Sequence, residues 1–589
     1  MTPAELAVLI ARLTGIAHEM GGVLRRGAFS PNIKERADCS AALFTADGTL
    51  LVQAEHIPVH LGSMPASVAA AIEALGADVG PGDEIILNDP FAGGTHLNDV
   101  TLVAPAFVTP PGGGAGRDAA PVLVGGVPTG PPHPARGGSP PGSIPAAPPE
   151  IHQEGLRLPP VRLTAEVAAV LVAASRTPVE RAGDLDAQVG ANRLGVERFA
   201  ALAASWLEPA DGTRGPGDLD DLDDLDDLDD LGGVRAGVAA VQRRLDAVVA
   251  YGDRRMRAAL AALPSGSWVF EDVLDSFGPA PHQQEPTTIR LAVTVEGEVI
   301  TFDFTGTDPQ RAGNVNAVEA VTVSAVSWAL RSVLDPTLPA NGGALRPVRV
   351  VAPAGTVVAA SFPAAVGAGN VEVSQRVADV CLGALAQVLP HRVPAASQGT
   401  MNNLLIGGDG WVSYETIAGG QGGRPPRTAG AAPVPGQSGI HTNMTNTDQI
   451  DPRLAAGVPG QSGIHTAMTN TRNTPIEALE RAFPLRVLRQ RLRRGSGGAG
   501  SAPGGEGIER DLQVLVDATV SLITERRVSQ PWGLAGGEPG AVGENWLLPG
   551  GNESRAERLP DKCTIQLKAG DVLRMLTPGG GGWGRRRQL

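Results

Sequence analysis

Carboxylate and imidazole side chains gather in short polar clusters in the first third of the chain. Asp38 lies in Lys34-Glu-Arg-Ala-Asp, and His56 and His60 in Glu55-His-Ile-Pro-Val-His. Asp89 lies in Asn88-Asp-Pro, His96 and Asp99 in Gly93-Gly-Thr-His-Leu-Asn-Asp, and His152 and Glu154 in Glu150-Ile-His-Gln-Glu-Gly. Imidazole combined with carboxylate suits Zn, Mn or Fe rather than Ca or Mg. His96 is the best placed of the imidazoles, because a turn with two glycines lets a side chain project into a cleft. Asp89 and Asp99 are candidate catalytic groups, as bases or as partners that orient His96. His56 and His60 have the spacing of a helical zinc pair, but Pro58 between them opposes a regular helix. In an extended strand, residues four apart stand about 13 Å from each other and cannot share an ion. One of the two at most serves the site: His56 is the candidate catalytic residue, and His60 reads as a satisfied structural histidine.

The elements that carry these clusters can be read from hydrophobic spacing. Leu6, Leu9, Ile10, Leu13, Ile16, Ala17 and Met20 predict a helix over residues 3–27. Thr2, Pro3 and Glu5 supply its N-cap, first residue and capping-box carboxylate. Residues 41–53 predict a hairpin around Ala46-Asp-Gly, 65–76 a helix, and Glu84-Ile-Ile-Leu a strand. Leu102 to Val108 and Val122 to Val124 predict further strands, whereas 109–149 reads as one long Gly- and Pro-rich loop. Helix is predicted over 164–206, 234–263, 316–334 and 371–389, and a hairpin over 286–305 around Glu296-Gly-Glu. The fold class expected is mixed α+β, multi-domain, with a β-rich, Gly-rich C-terminal part. The expected regions are 1–208, an acidic Asp/Leu insertion at 209–233, a middle region at 234–396, and 397–589. Pro435-Gly-Gln-Ser-Gly-Ile-His-Thr-Asn-Met-Thr-Asn-Thr recurs at 459–471 with one change, Asn443 to Ala467. Two copies indicate a local duplication rather than a solenoid.

Composition removes several function classes. The net charge is −14, and nine of the acidic residues form the run from Asp218 to Asp230. An acidic balance argues against nucleic acid or an anionic membrane as partner. Aromatics are 3% of the chain, too few for base-stacking platforms. Only Lys34, Lys562 and Lys568 are lysines, and no Gly-Lys pair exists, so a Walker A ATP site is excluded. Three scattered cysteines and a start without a basic n-region point to the cytoplasm, and no membrane span is expected. The Gly runs near 419–423, 536–537 and 579–582 read as tight turns in preference to phosphate-binding loops.

Longer motifs carry a family resemblance. Pro31-Asn-Ile-Lys-Glu-Arg-Ala-Asp-Cys-Ser, Ala54-Glu-His-Ile-Pro-Val-His-Leu-Gly-Ser-Met-Pro and Ile86-Leu-Asn-Asp-Pro-Phe-Ala-Gly-Gly-Thr-His resemble the hydantoinase B / 5-oxoprolinase family. So do Gly369-Asn-Val-Glu-Val-Ser-Gln-Arg, Ser397-Gln-Gly-Thr-Met-Asn-Asn-Leu and Pro531-Trp-Gly-Leu-Ala-Gly-Gly, and the resemblance spans nearly the whole chain. It implies a B-type subunit of an ATP-dependent cyclic-amide hydrolase, opening 5-oxoproline or a hydantoin, with a place in glutathione metabolism. It implies a hydantoinase A-type partner that binds ATP and phosphorylates the substrate oxygen, and a divalent metal in this subunit. The family's ligand positions carry over to Asp38, His96 and His152. A further ligand segment falls at Gly130-Pro-Pro-His-Pro-Ala-Arg, where Ala135 stands in the place of an aspartate and cannot bind a metal. The same resemblance leaves open a subunit of a ketone carboxylase of the acetone or acetophenone type, or a non-catalytic scaffold.

Overall fold

The computed structural model describes residues 1–55, 57–109, 121–130, 144–146, 150–207, 230–426 and 457–586. It is a mixed α+β chain with four sheets among the described residues. The Asp/Leu run up to Asp229, residues 130–136 apart from Gly130, and the first copy of the duplicated segment lie outside the described residues.

The first sheet carries the polar clusters. Its strands are β1 (Ser40–Thr45), β2 (Leu50–Glu55), β3 (Ile85–Leu87), β4 (Thr101–Val108), β5 (Val122–Gly130) and β6 (Val161–Arg162), in the order β2-β1-β5-β4-β3-β6. Its helices are α1 (Pro3–Gly27), α2 (Pro31–Lys34), α3 (His60–Leu75), α4 (Ala165–Ala173), α5 (Pro178–Ala204) and α6 (Asp230–Ala261). The predicted capping box opens α1: Thr2 accepts from Glu5 N, and the Glu5 carboxylate takes the Thr2 N–H at 2.7 Å. Helix α1 is the one described helix long and apolar enough to cross a membrane. Here its Leu13, Ala17 and Met20 pack with Leu43, Val127 and Phe199 in one core. Helix α3 covers Phe44 and Leu87 with Met64 and Val68.

Two predictions in this region change. Strand β5 continues through Gly130, pairing with β1 and β4, so part of the expected long loop is sheet. Helix α3 begins at His60, not at residue 65, because the chain turns at Ile57–Val59 and His60 opens the first turn.

The middle of the chain holds β7 (Gly266–Leu274), β8 (Thr287–Glu296), β9 (Val299–Asp303) and β10 (Val348–Val351), in the order β10-β9-β8-β7. In β8, Ile289, Leu291, Val293 and Val295 alternate inward, the period expected of a strand with one buried face. They meet α7 (Glu319–Val333) and α9 (Ser374–Val388) in the largest core, which contains Trp328; the short α8 (Gly342–Leu345) lies beside α6. A single π-turn, Gly369–Val373, leads into α9.

The remaining strands are β11 (Asn403–Gly408), β12 (Trp411–Thr416), β13 (Leu485–Arg493), β14 (Gly507–Val514), β15 (Ala518–Ile523), β16 (Glu544–Leu548), β17 (Glu557–Leu559), β18 (Lys562–Leu567) and β19 (Val572–Leu576), with α10 (Ile476–Ala482). They form the sheets β12-β11-β15-β18 and β13-β14-β19-β16-β17. Gly536 turns as expected, with Gly537 N donating to Leu534 O at 3.0 Å, but the Gly runs at 419–423 and 579–582 are not isolated tight turns. They pack backbone on backbone: Gly423 N donates to Gly581 O at 2.8 Å and Gly580 N to Gly505 O at 3.0 Å. A Cβ on Gly580 would collide with the Gln421 carbonyl, so the close approach itself requires glycine there.

Candidate active site

Asp38 is aimed by the segment before it. Helix α2 ends at Lys34, and Arg36 follows with its guanidinium fully buried. Arg36 donates to Tyr414 O at 2.8 Å and to Thr416 Oγ1 at 2.9 Å, and stacks over the Tyr414 ring. Ala37 then takes a left-handed conformation, φ +57°, that costs a residue with a Cβ about 1–2 kcal/mol. That strain sits next to a candidate functional group. Asp38 comes out buried, lining a cavity, with no hydrogen-bond donor to its carboxylate among the described residues. Burial pushes its pKa up to about 6, against the pull of Arg36.

His96 reaches the same cavity along a different route. Asp89 caps a short turn at Pro90–Ala92, and Gly93 follows with φ +95°. A Cβ at Gly93 would overlap the backbone of Ala66 in α3. The paired glycines therefore let this loop press against the helix and turn His96 inward. Asp99 lies between two imidazoles, 3.0 Å from His96 Nδ1 and 3.6 Å from His60 Nε2. Thr95 Oγ1 also donates to it. Burial opposes a charge on Asp99, but His96 and His60 outweigh it and hold the carboxyl well below the usual range. His60 is fixed from behind by Ser40 Oγ, 2.9 Å from its Nδ1. The π-turn before α9 contributes Asn370, whose Nδ2 lies 3.1 Å from His96 Nδ1 and 3.3 Å from Asp99 Oδ2. An inserted π-turn widens the helix start and brings this side chain to the cavity.

Asp38, His60, His96, Asp99, Asn370 and Tyr414 thus share one enclosed cavity of about 30 Å³. That volume holds about one water. Its donor set, two imidazoles with two carboxylates, has the chemistry of a Zn, Mn or Fe centre. Among the described residues the side chains are turned on one another through Asp99, and no three His, Cys, Asp or Glu groups converge on one point. By residue type alone the set suits a divalent metal.

The other expected residues lie elsewhere. Asp89 is buried but occupied, accepting from Phe91 N at 3.0 Å and facing Arg157 at 3.6 Å. His152 is exposed, with its ring edge-on to Phe362, and it does not line the cavity. His56 lies outside the described residues. His60, set aside as structural, is in the cavity wall. The extended geometry assumed for it does not hold, since α3 starts there.

Glu154, two residues after His152, is the buried member of that stretch. The 3-10 turn Ile151–Gln153 sends His152 outward and Glu154 inward. Glu154 accepts from Val366 N at 3.1 Å and Gly367 N at 2.8 Å, and burial raises its pKa to about 7. Its signal was present in the sequence as a carboxylate beside a histidine. Asn370 and Tyr414 gave no such signal, although Asn370 stands inside the Gly369-Asn-Val-Glu motif.

The Hydantoinase B/oxoprolinase family model matches residues 2–208, 233–455 and 454–586. The chain belongs to the hydantoinase B/oxoprolinase family. A Methanocaldococcus jannaschii protein is 36% identical over 99% of this chain and 91% of its own length. The 5-oxoprolinase 1 of Arabidopsis thaliana is 33% identical over 98% of this chain. Of that relative the chain spans only 42%. The ATP-dependent caprolactamase of Pseudomonas jessenii has the same fold, with a TM-score of 0.79 at 24% identity, covering 100% of this chain and 92% of that one.

Proposed function

We propose that this hydantoinase B-family chain is the ring-opening subunit of an ATP-dependent cyclic-amide hydrolase. It would work with a hydantoinase A-type partner that binds ATP, and act on a small lactam or hydantoin such as 5-oxoproline. The observation that carries the reading is the joint enclosure of Asp38, His60, His96 and Asp99 around one cavity. These residues come from three separate segments, and a stability role alone does not account for a buried carboxylate with no donor among the described residues. The family's relatives that bear the names 5-oxoprolinase and caprolactamase support the substrate class.

An amide resists attack because resonance makes its carbonyl carbon a poor electrophile. Phosphorylation of the carbonyl oxygen, in the partner, would give that carbon a leaving group. A divalent metal held by Asp38 and His96, with His60 and Asp99 beside them, would supply Lewis acidity and lower the pKa of bound water. The chain's own residues do the rest. Asp99 lies 3.0 Å from His96 Nδ1 and Asn370 Nδ2 stands 3.3 Å from Nε2, so the ring is held at both nitrogens. Ser40 Oγ holds His60 at Nδ1, on the side away from Asp99. Asp38, with no donor among the described residues, keeps its lone pairs for the ion it would hold. The enclosing wall excludes bulk water and strengthens each of these interactions.

The test is the assembled complex with ATP and either 5-oxoproline, a hydantoin or caprolactam, before and after chelation. ATP-dependent ring opening that chelator removes is expected. Bicarbonate-dependent consumption of acetone without any ring opening would refute the reading.

A further inference from the structure

Glu372 lies fully buried inside the π-turn Gly369–Val373, two residues after Asn370. A single carboxyl oxygen, Oε1, accepts the Met401 N–H at 3.1 Å and the Asn403 side-chain amide at 2.8 Å. The Asn403 nitrogen also donates to Ile523 O at 3.0 Å, so its amide oxygen faces the Tyr414 hydroxyl, 2.8 Å away. Asn370, Val371, Met401 and Tyr414 all line the cavity that holds Asp38 and His96, whereas Glu372 and Asn403 stand behind that wall. One oxygen therefore ties three pieces of the wall together: the π-turn, the segment before β11, and β12. The turn is also anchored at both ends. Before it, Glu154 takes the Val366 and Gly367 N–H groups. After it, Arg376 faces Asp272 at 3.2 Å and Glu525 at 3.5 Å. Those bonds fix the chain on either side, and Glu372 is the side chain within the turn that bonds to Met401 and, through Asn403, to Tyr414. Burial, followed by the charge of Glu525, keeps its carboxyl protonated below about pH 8. At neutral pH it is thus an uncharged acceptor, and glutamine is its closest mimic.

We propose that Glu372 is a positioning residue of this site: by pinning the π-turn to Met401 and Asn403, it sets Asn370 against His96 and holds Tyr414 in the cavity wall. Glu372 does not line the cavity, so it acts through the residues it holds. The kinetic arm of the test rests on the cyclic-amide reading above, and the spectroscopic arm does not.

Two variants separate reach from chemistry. Glu372→Gln keeps an acceptor oxygen at the same distance from the backbone. Glu372→Asp keeps the acid but draws it back by one C–C bond, about 1.5 Å. Both are read in the assembled complex by ATP-dependent ring opening of 5-oxoproline and, before substrate is added, by the His96 ring 15N shifts. The Gln variant should match the wild type in kcat, KM and His96 shifts. The Asp variant should lose up to about 100-fold in kcat at unchanged KM, the scale of an ångström of misplacement, with the His96 shifts moved. A glutamate that only stabilised the fold would change the urea midpoint and leave both readouts of the folded variant where they are. A folded Asp variant with wild-type kcat and His96 shifts overturns the proposal. So does a folded Gln variant that loses either, and so does an Asp variant that cannot fold, which would make Glu372 a stability residue. A wild-type complex without ring opening would refute the hydrolase reading, and the His96 shifts would still decide the role of Glu372.

Discussion

Asp38→Asn should make the metal-free protein more stable while removing its activity. The Asp38 carboxylate is buried and no described residue donates to it, so its ionised form is the costly one. Its pKa rises from 3.8 to about 6, chiefly through burial. That shift of roughly two units corresponds to about 3 kcal/mol at about 1.4 kcal/mol per unit. The sign follows from proton uptake. The folded state holds the Asp38 proton more tightly than the unfolded state does. The stabilisation this gives is complete below pH 3.8 and is gone once pH passes about 6. Asparagine has the same shape without the charge. The variant should therefore exceed the wild type by up to about 3 kcal/mol near pH 8, and the gain should shrink towards pH 4. The assay is urea denaturation of chelator-treated protein at both ends of that range, beside ring-opening rates of the metal-loaded complex. Activity should fall by roughly 100-fold or more. A variant less stable than wild type near pH 8, or a gain equal at all pH values, would refute the reasoning.

Asp99 behaves in the opposite way. Its carboxylate accepts from Thr95, His96 and Asn370, so Asp99→Ala leaves three buried donors unpaired and should destabilise by about 3–6 kcal/mol in denaturation experiments. Asp99→Asn, which keeps an acceptor, should cost only about 1–2 kcal/mol yet release the His96 tautomer, visible in the ring 15N shifts. Glu372 has its pKa raised to about 8 by burial and then by Glu525, so its stabilisation is present below about pH 4.5 and lost as pH rises through 8. Glu372→Gln should change stability little below pH 4.5 and raise it progressively above that, by a few kcal/mol near pH 9, with urea midpoints as the measure.

Local structure was legible wherever neighbours in sequence decide it. The Thr2–Glu5 capping box, the β1–β2 hairpin around Asp47-Gly and the alternation of β8 depend on residues within a few positions of each other. The chemistry of Asp38, His96 and Asp99 was also legible, because carboxylates and imidazoles cluster there without an apolar period to explain them. His60 was misjudged because one turn at Ile57–Val59 replaced an assumed strand by a helix start. In Glu150-Ile-His-Gln-Glu-Gly the residue types were right, but only the 3-10 turn decides that Glu154 is buried and His152 exposed.

The sequence by itself determined the family, the residue types of the site and the absence of a Walker A lysine. The tertiary structure alone decided which side chains meet. Asn370 and Tyr414 lie more than two hundred residues beyond His96, and no local pattern encodes that contact. Tyr414 donates to Asn403 Oδ1 only because Ile523 and Glu372 orient the Asn403 amide behind it. Hydrogen-bond direction in a buried chain is set by its far end, and the far end here comes from other strands and helices.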